Sequence, residues 1–465
     1  MSGAGVALEH GFIPPHPIPR ATPMGTLGFL NALRNNPLTI WTRAHYELPI
    51  LTGRSIMGEV AVINDPQAIG RVFLDNAANY PKDKLQLRVL APGLGRGLLT
   101  ADGDEWKAQR RALAPLFTPR MVARFIPAME AGADHLIERW QRQRDGRRVD
   151  VAHEMARVTL DVLERTIFTD GLGRGPDEFM AAVTAYFDTL GRIDPFDALG
   201  FPDWVPRFGK HKAAKTLAFF DAAVEAMIVK RQASLAQDNS AAPRDLLTLL
   251  LEARDPQTGE GLRETSIRSN IITFIGAGHE TTANALSWTL FLLSQSPEWM
   301  GRVREEIDGL GEAAMDEARL GQLVQTRAVF EEAMRLYPPA PTLTRDALEA
   351  DELAGVRINK GARIIVSPWL VHRHKTLWRD PDRFDPTRFL PENRESIHRF
   401  AYLPFGAGPR VCIGAAFATQ EALIVLRALL RHFSFELPQG HVVTPYHRIT
   451  LRPEGGLPMM VKARR

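Results

Sequence analysis

Cys412 is the only cysteine in the chain. By default a lone cysteine is a small buried hydrophobe with no chemistry. The residues around this one argue otherwise. Positions 405–414 read Phe-Gly-Ala-Gly-Pro-Arg-Val-Cys-Ile-Gly. Two glycines and a proline ahead of the cysteine make a tight, rigid turn whose backbone can approach a flat ligand. A helix is expected from Ala415 to about His432, so Cys412 stands just ahead of a helix N-terminus. Backbone N–H groups there stabilise negative charge and lower a thiol's pKa. A thiolate so placed could ligate iron or attack a substrate. A dinucleotide loop would need the third glycine of GxGxxG, which is absent. A nucleophilic cysteine would need a histidine base, which sequence alone cannot place.

A second segment breaks the rules of its own element. Ile271 to Ser294 is apolar nearly all round and is expected as a buried central helix. In its middle lies Gly276-Ala277-Gly278-His279-Glu280-Thr281-Thr282. Interior glycines cost about 1 kcal/mol each relative to alanine, and threonine is a weak helix former. A buried acid costs more unless it is partnered. Local rules broken together mark functional sites; close helix packing at the glycines with an ordinary salt bridge for Glu280 is the structural alternative.

The 405–414 loop resembles the haem-binding loop of the cytochrome P450 family, Phe-Gly-x-Gly-x-Arg-x-Cys-x-Gly, with every defining position filled. The resemblance implies that Cys412 is the iron ligand, a thiolate that favours O–O cleavage. Ala277 to Thr281 resembles the family's oxygen-activating stretch. It implies that the glycine leaves space beside the iron, Thr281 holds dioxygen and its water, and Glu280 relays protons; His279 is given no chemistry. The implied cofactor is heme b, whose two propionates need cations or donors. Trp106 and Arg110 match the family's Trp-x-x-x-Arg helix, Arg345 the arginine after the Pro-Pro-x-Pro stretch, and Arg410 the one two residues before the ligand. A packed tryptophan and solvated arginines are the plainer reading of these positions, one that Arg410 does not fit. Phe405, Gly406, Gly414, Ala277 and Gly278 complete the expected cofactor-binding set.

Glu332 and Arg335 lie at i, i+3 on one helix face, in isolation a surface ion pair. Ahead of Leu336-Tyr337-Pro338-Pro339 they resemble the family's ExxR helix, which implies a buried network with an arginine from a Pro-x-Arg-Phe segment. Pro381-Asp382-Arg383-Phe384 fits, and Arg383 is the expected partner. By position in the family fold, Leu98, Leu99, Thr342, Leu343 and Ile449 face the substrate pocket together with Ala277.

The resemblance implies a mixed-function oxidation of a small apolar organic substrate by dioxygen. Electrons must come from a separate donor, such as a ferredoxin with its reductase docking near the Cys412 face, because the chain has neither a flavin pattern nor cluster cysteines. Peroxide-driven or rearrangement chemistry, a non-catalytic haem sensor and a haem-free cysteine hydrolase are the alternatives; an intact Glu280–Thr281 pair speaks against the first two.

Around these positions the chain is ordinary. Its 465 residues are 45% hydrophobic and 24% charged, which excludes disordered and fibrous classes. A net charge of +3 is too small to argue for nucleic acid. A single cysteine excludes a disulfide framework, a Cys-rich zinc site and a self-contained iron–sulfur cluster. No run approaches the roughly 20 apolar residues of a membrane span, and the N-terminus lacks a signal-peptide pattern, so the cytoplasm is the expected address. Residues 1–40, rich in proline, are expected to run extended, and 41–465 to form one large domain, mainly α with a small β-rich side, as in the P450 fold. Strands are expected at Glu47–Leu51, Glu59–Ile63, Val356–Ile358 and Arg363–Val366. Long helices are expected over Met121–Asp145, Val149–Thr169 and Ala213–Gln237, with a loop over Ile193–Phe208. The C-terminus is expected as a hairpin of Ile449–Arg452 with Met459–Val461.

Overall fold

The computed structural model describes residues 7–8, 11–55, 58–167, 169, 210–237 and 242–464. The helices that matter to the site are α1 (Thr26–Asn35), α2 (Gly103–Leu113), α3 (Ile126–Gln141), α4 (Val151–Ile167), α5 (Lys210–Gln237), α6 (Glu264–Ser294), α7 (Val324–Leu336) and α8 (Ala415–His432). The strands that matter to it are β1 (Ile50–Ser55), β2 (Gly58–Ile63), β3 (Arg147–Asp150), β4 (Leu343–Asp346), β5 (Arg363–Val366), β6 (Phe433–Glu436), β7 (Pro445–His447), β8 (Leu451–Pro453) and β9 (Pro458–Ala463).

Because α6 is apolar on nearly every side, it is stable only with protein all round it. The helix α4 runs along it, burying Met155, Val158, Thr159, Val162, Leu163 and Thr166 at helical spacing. Thr159 also donates to the carbonyl of His279 at 3.0 Å, a polar tie across that seam. Against α4 and α8 lies α3. It can approach closely because a Cβ at Gly132 would stand 2.7 Å from Val162. The β-rich side is a four-stranded sheet of order β1-β2-β5-β4, with β2 and β5 parallel and the outer pairs antiparallel. Alternation in β5 buries Ile364 and Val366 into a second apolar cluster with Ala61 and Ile63 of β2.

Four expectations need correction. The first forty residues are not extended throughout: α1 forms where the prolines stop, between Pro23 and Pro37. The expected helix from Met121 is broken at Arg124–Phe125, because Pro127 belongs in the first turn of a new helix. Residues 147–150, partly given to a helix, form β3. At the C-terminus both strands exist but do not pair with each other. Leu451–Pro453 pairs back with Pro445–His447, and Pro458–Ala463 lies between β6 and β3, with Val461 opposite Phe435 and Met459 opposite Val149. For Pro458–Ala463, partners distant in sequence won over the nearer one. The loop expected over Ile193–Phe208 lies outside the described residues.

Candidate active site

From Ile271 to Leu293, α6 is buried at every position except Ala277, Gly278, Glu280 and Thr281. The break in burial therefore coincides with the break in helix rules. Ala277 and Thr281, four residues apart, share one face, and the Thr281 hydroxyl donates to the Ala277 carbonyl at 2.6 Å. Gly278 does something other than expected. Its missing Cβ faces α4, where a methyl would press on Leu163 at 3.3 Å. It is a packing glycine, and Ala277 holds the open face. Glu280 accepts from the Thr450 hydroxyl at 2.6 Å, with Arg452 at 4.0 Å.

The Cys412 loop is closed by its own backbone. Cys412 N–H donates to the Phe405 carbonyl at 2.9 Å, and Val411 N–H to Gly408 at 3.0 Å. Gly406 and Gly408 have φ of +74° and +70°, and a Cβ on Gly408 would also collide with the Phe73 carbonyl. Only glycine serves there. The thiol is surrounded by protein but keeps a face accessible, like a residue on the floor of a recess. Burial pushes its pKa up, while the Gly414 N–H and the Arg110 guanidinium pull it back.

Residues 98–102 join this loop to α6. Leu98 N–H donates to Asn270 of α6 at 2.8 Å. The Arg410 guanidinium donates to the Ala101 carbonyl at 3.2 Å and to Asp102. Asp102 also caps α2 through Gly103, which sets Trp106 on the first turn with its ring 4.1 Å from the Arg410 guanidinium. Arg111, next to Arg110, turns away and pairs with Asp255.

Sequence reasoning missed Lys82. It is buried, donates to the Leu99 carbonyl and stands beside Arg345 and Arg410. Burial first, then repulsion by those two arginines, pushes its pKa down to about 7. Arg345 is pushed down to about 10 by burial and by Arg410. Of the nearby carboxylates, Asp102 is taken by Arg410, while Asp83 caps a helix and holds Thr344. Such a corner is cationic in excess and suits a ligand with two carboxylates. The thiol, the glycine-rich backbone, the open face of α6 and this corner together fit a haem.

The expected network is present with one correction. Glu332 and Arg335 are fully buried and paired through two bonds of 2.6 and 2.7 Å. Arg335 also donates to the carbonyls of His372, Pro381 and Arg383 at 2.7, 2.6 and 2.9 Å. Arg383 thus joins by its backbone. The guanidinium beside Glu332 is that of Arg388, at 3.8 Å. It comes from Pro386-Thr387-Arg388-Phe389, a second Pro-x-Arg-Phe five residues on, which a turn capped by Asp385 carries back over α7. His372, also missed, accepts the Leu403 N–H at 2.7 Å. Glu421 of α8 was missed too: it is buried against Thr282 of α6, and burial raises its pKa well above the carboxylate range. Of the expected pocket residues, Leu343 borders Gly406, Ile449 precedes Thr450, and Thr342 is half-buried at the head of β4.

The family model for cytochrome P450 matches residues 14–459. The chain belongs to the cytochrome P450 family. Human cytochrome P450 4F12 is 31% identical over 425 residues, covering 86% of this chain and 80% of that protein. Cyclooctatin synthase of Streptomyces melanosporofaciens is 33% identical over 388 residues, covering 83% of each. The crystal structure of the cytochrome P450DA heme domain superimposes with a TM-score of 0.83 at 27% identity, covering 97% of this chain and 98% of that one. This P450 is a haem-thiolate monooxygenase, so it needs a haem, dioxygen, a substrate and a source of electrons. Among the described residues, no helix is long and apolar enough to cross a membrane.

Proposed function

We propose that this P450 inserts one oxygen atom of dioxygen into a small apolar molecule, using heme b and electrons from a separate ferredoxin with its reductase, in the cytoplasm. The observation that carries the reading is the interruption of burial between Ile271 and Leu293 of α6 at Ala277, Gly278, Glu280 and Thr281 alone. Bound haem would supply the iron at which dioxygen is activated.

The chain's own residues supply the rest. Cys412 would hold the iron as thiolate, favoured by the Gly414 N–H and Arg110. Lys82, Arg345, Arg410 and Trp106 would orient the cofactor through its carboxylates and edge. Thr281, whose hydroxyl now donates to Ala277, would turn to hold a proton beside the open face. Glu280 would bring protons to it. Leu98, Leu99, Leu343 and Ile449 offer aliphatic contacts, which favour a fatty, terpenoid or steroid-like substrate. A single cysteine leaves no cluster site in this chain, which supports a separate electron donor.

The test is turnover of a panel of such substrates under isotopically labelled dioxygen, with NADPH and an added ferredoxin–reductase pair. One labelled atom in the product, and none without the added proteins, is the expected result. Label arriving from water would overturn monooxygenation, and full activity with NADPH alone would overturn the separate donor.

A further inference from the structure

The acid of the oxygen-activating pair is tied to the far end of the chain. Glu280 Oε1 accepts from the Thr450 hydroxyl at 2.6 Å, across 170 positions of sequence, and Arg452 adds its charge at 4.0 Å. Both partners belong to the β7–β8 hairpin. The Thr281 hydroxyl is occupied as well, donating to Ala277. In this arrangement neither member of the pair is bonded to the other, and the Glu280 oxygen that Thr450 holds is not available to Thr281.

The hairpin is built to hold one end and give at the other. Leu451 is pinned on both sides: its N–H donates to the Pro339 carbonyl at 3.0 Å, and its own carbonyl accepts from Trp288 of α6 at 3.2 Å. The turn ahead of it, residues 448–450, is closed by one backbone bond, Arg448 N–H to the Thr450 carbonyl at 3.2 Å. Ile449 sits in that turn, half-buried against the main core. Ile449 adjoins Thr450 in that turn, so a ligand that moved Ile449 would carry with it the residue whose hydroxyl holds Glu280.

We propose that Thr450 is a positioning residue that parks the Glu280 carboxylate and releases it when substrate seats against Ile449. The proposal rests on the monooxygenase reading and names how that site is regulated. Released, Glu280 takes one proton from solvent and gives one to the Thr281 oxygen, as Thr281 passes its own proton to the dioxygen being reduced. Both residues end as they began, and the electrons come from the redox partner. Proton delivery then waits for substrate.

The test uses the haem-loaded full chain with Thr450→Val, Thr450→Ser and Glu280→Gln. Substrate-free oxygen consumption should rise about tenfold in the valine variant, the factor that one lost charge-assisted hydrogen bond allows, and stay at the native rate in the serine variant. The carbon monoxide stretching band of the reduced protein, which reports the field beside the iron, should shift in the valine variant and not in the serine one. The valine change should add nothing in the Glu280→Gln background. Native consumption together with an unmoved band in Thr450→Val overturns the proposal, as does an equal effect with and without Glu280. Failure of the native protein to consume dioxygen with any donor would instead sink the monooxygenase reading, while the band shift would still test the Thr450–Glu280 tie.

Discussion

The backbone N–H of Leu403 donates to Nε2 of His372 at 2.7 Å, and the other ring nitrogen of His372 faces the Arg335 carbonyl at 3.2 Å. One imidazole thus joins the Glu332–Arg335 network to the segment that leads into Phe405 and Cys412. Since Nε2 accepts, the ring must be neutral with its proton on Nδ1.

That neutrality predicts a pH dependence. Burial, then the charges of Arg335 and Arg373, push the His372 pKa from 6.5 down to about 3 in the fold. A depressed value means that the fold prefers the unprotonated ring. Its contribution to stability is complete above about pH 6.5 and is lost as pH falls towards 3. In urea denaturation the midpoint should fall across that window in the native protein. His372→Phe should start lower, by about 1–3 kcal/mol for the orphaned Leu403 N–H, and lose less on acidification. Equal acid slopes would contradict the assignment.

Arg388, rather than Arg383, faces Glu332 with its side chain. Arg388→Ala should therefore cost about 2 kcal/mol or more, because it strips charge from beside a fully buried carboxylate. Arg383→Ala keeps the carbonyl that Arg335 uses, and should cost under about 1 kcal/mol. Denaturation of the two variants side by side decides it, and comparable losses would return the role to Arg383.

Replacing Lys82 by methionine should move two measurements in opposite directions. Without haem, the buried ammonium is disfavoured beside Arg345 and Arg410, so its removal should raise the melting temperature of the apoprotein. With haem, the variant should release the cofactor to a scavenging apoprotein roughly tenfold faster, for want of one charge-assisted bond. A slower or unchanged release would exclude Lys82 from the cofactor's carboxylates.

Cys412→Ser should keep the fold, because the loop is closed through backbone bonds of Phe405, Gly408 and Cys412. Its reduced carbon monoxide complex should lack the strongly red-shifted Soret band expected of the native chain. Persistence of that band would mean that another residue supplies the ligand.

Local signals were readable in the residues themselves. The glycines about Cys412 and the broken helix rules at Ala277–Thr281 both mark places where backbone or burial is unusual within a few positions. Roles set by distant neighbours were not. Pro381–Phe384 and Pro386–Phe389 carry the same pattern, and only the turn at Asp385 decides which arginine reaches Glu332. Lys82 and His372 belong to no pattern, since what they do depends on Arg345 and Leu403 across the fold. Gly278 could not be given its neighbour, Leu163, from sequence, because a helical glycine looks the same whichever neighbour it admits. The C-terminal strands were found but mispaired, as β3 and β6 offered partners that spacing does not reveal.

The Arg410–Asp102 tie spans 308 positions, which bears on how the protein is made. One wall of the cofactor site, α2 with Asp102 and Trp106, leaves the ribosome early. The other, with Arg410 308 positions further on and Cys412 just after it, emerges well after the first, and the Thr450 turn comes later still. A nascent chain therefore holds the cationic Lys82–Arg345 corner without its thiolate while residues 346–411 are added. Cofactor capture by both walls must therefore wait until Cys412 and the Thr450 turn have emerged and folded against α6, so the site is completed late relative to the helices that frame it.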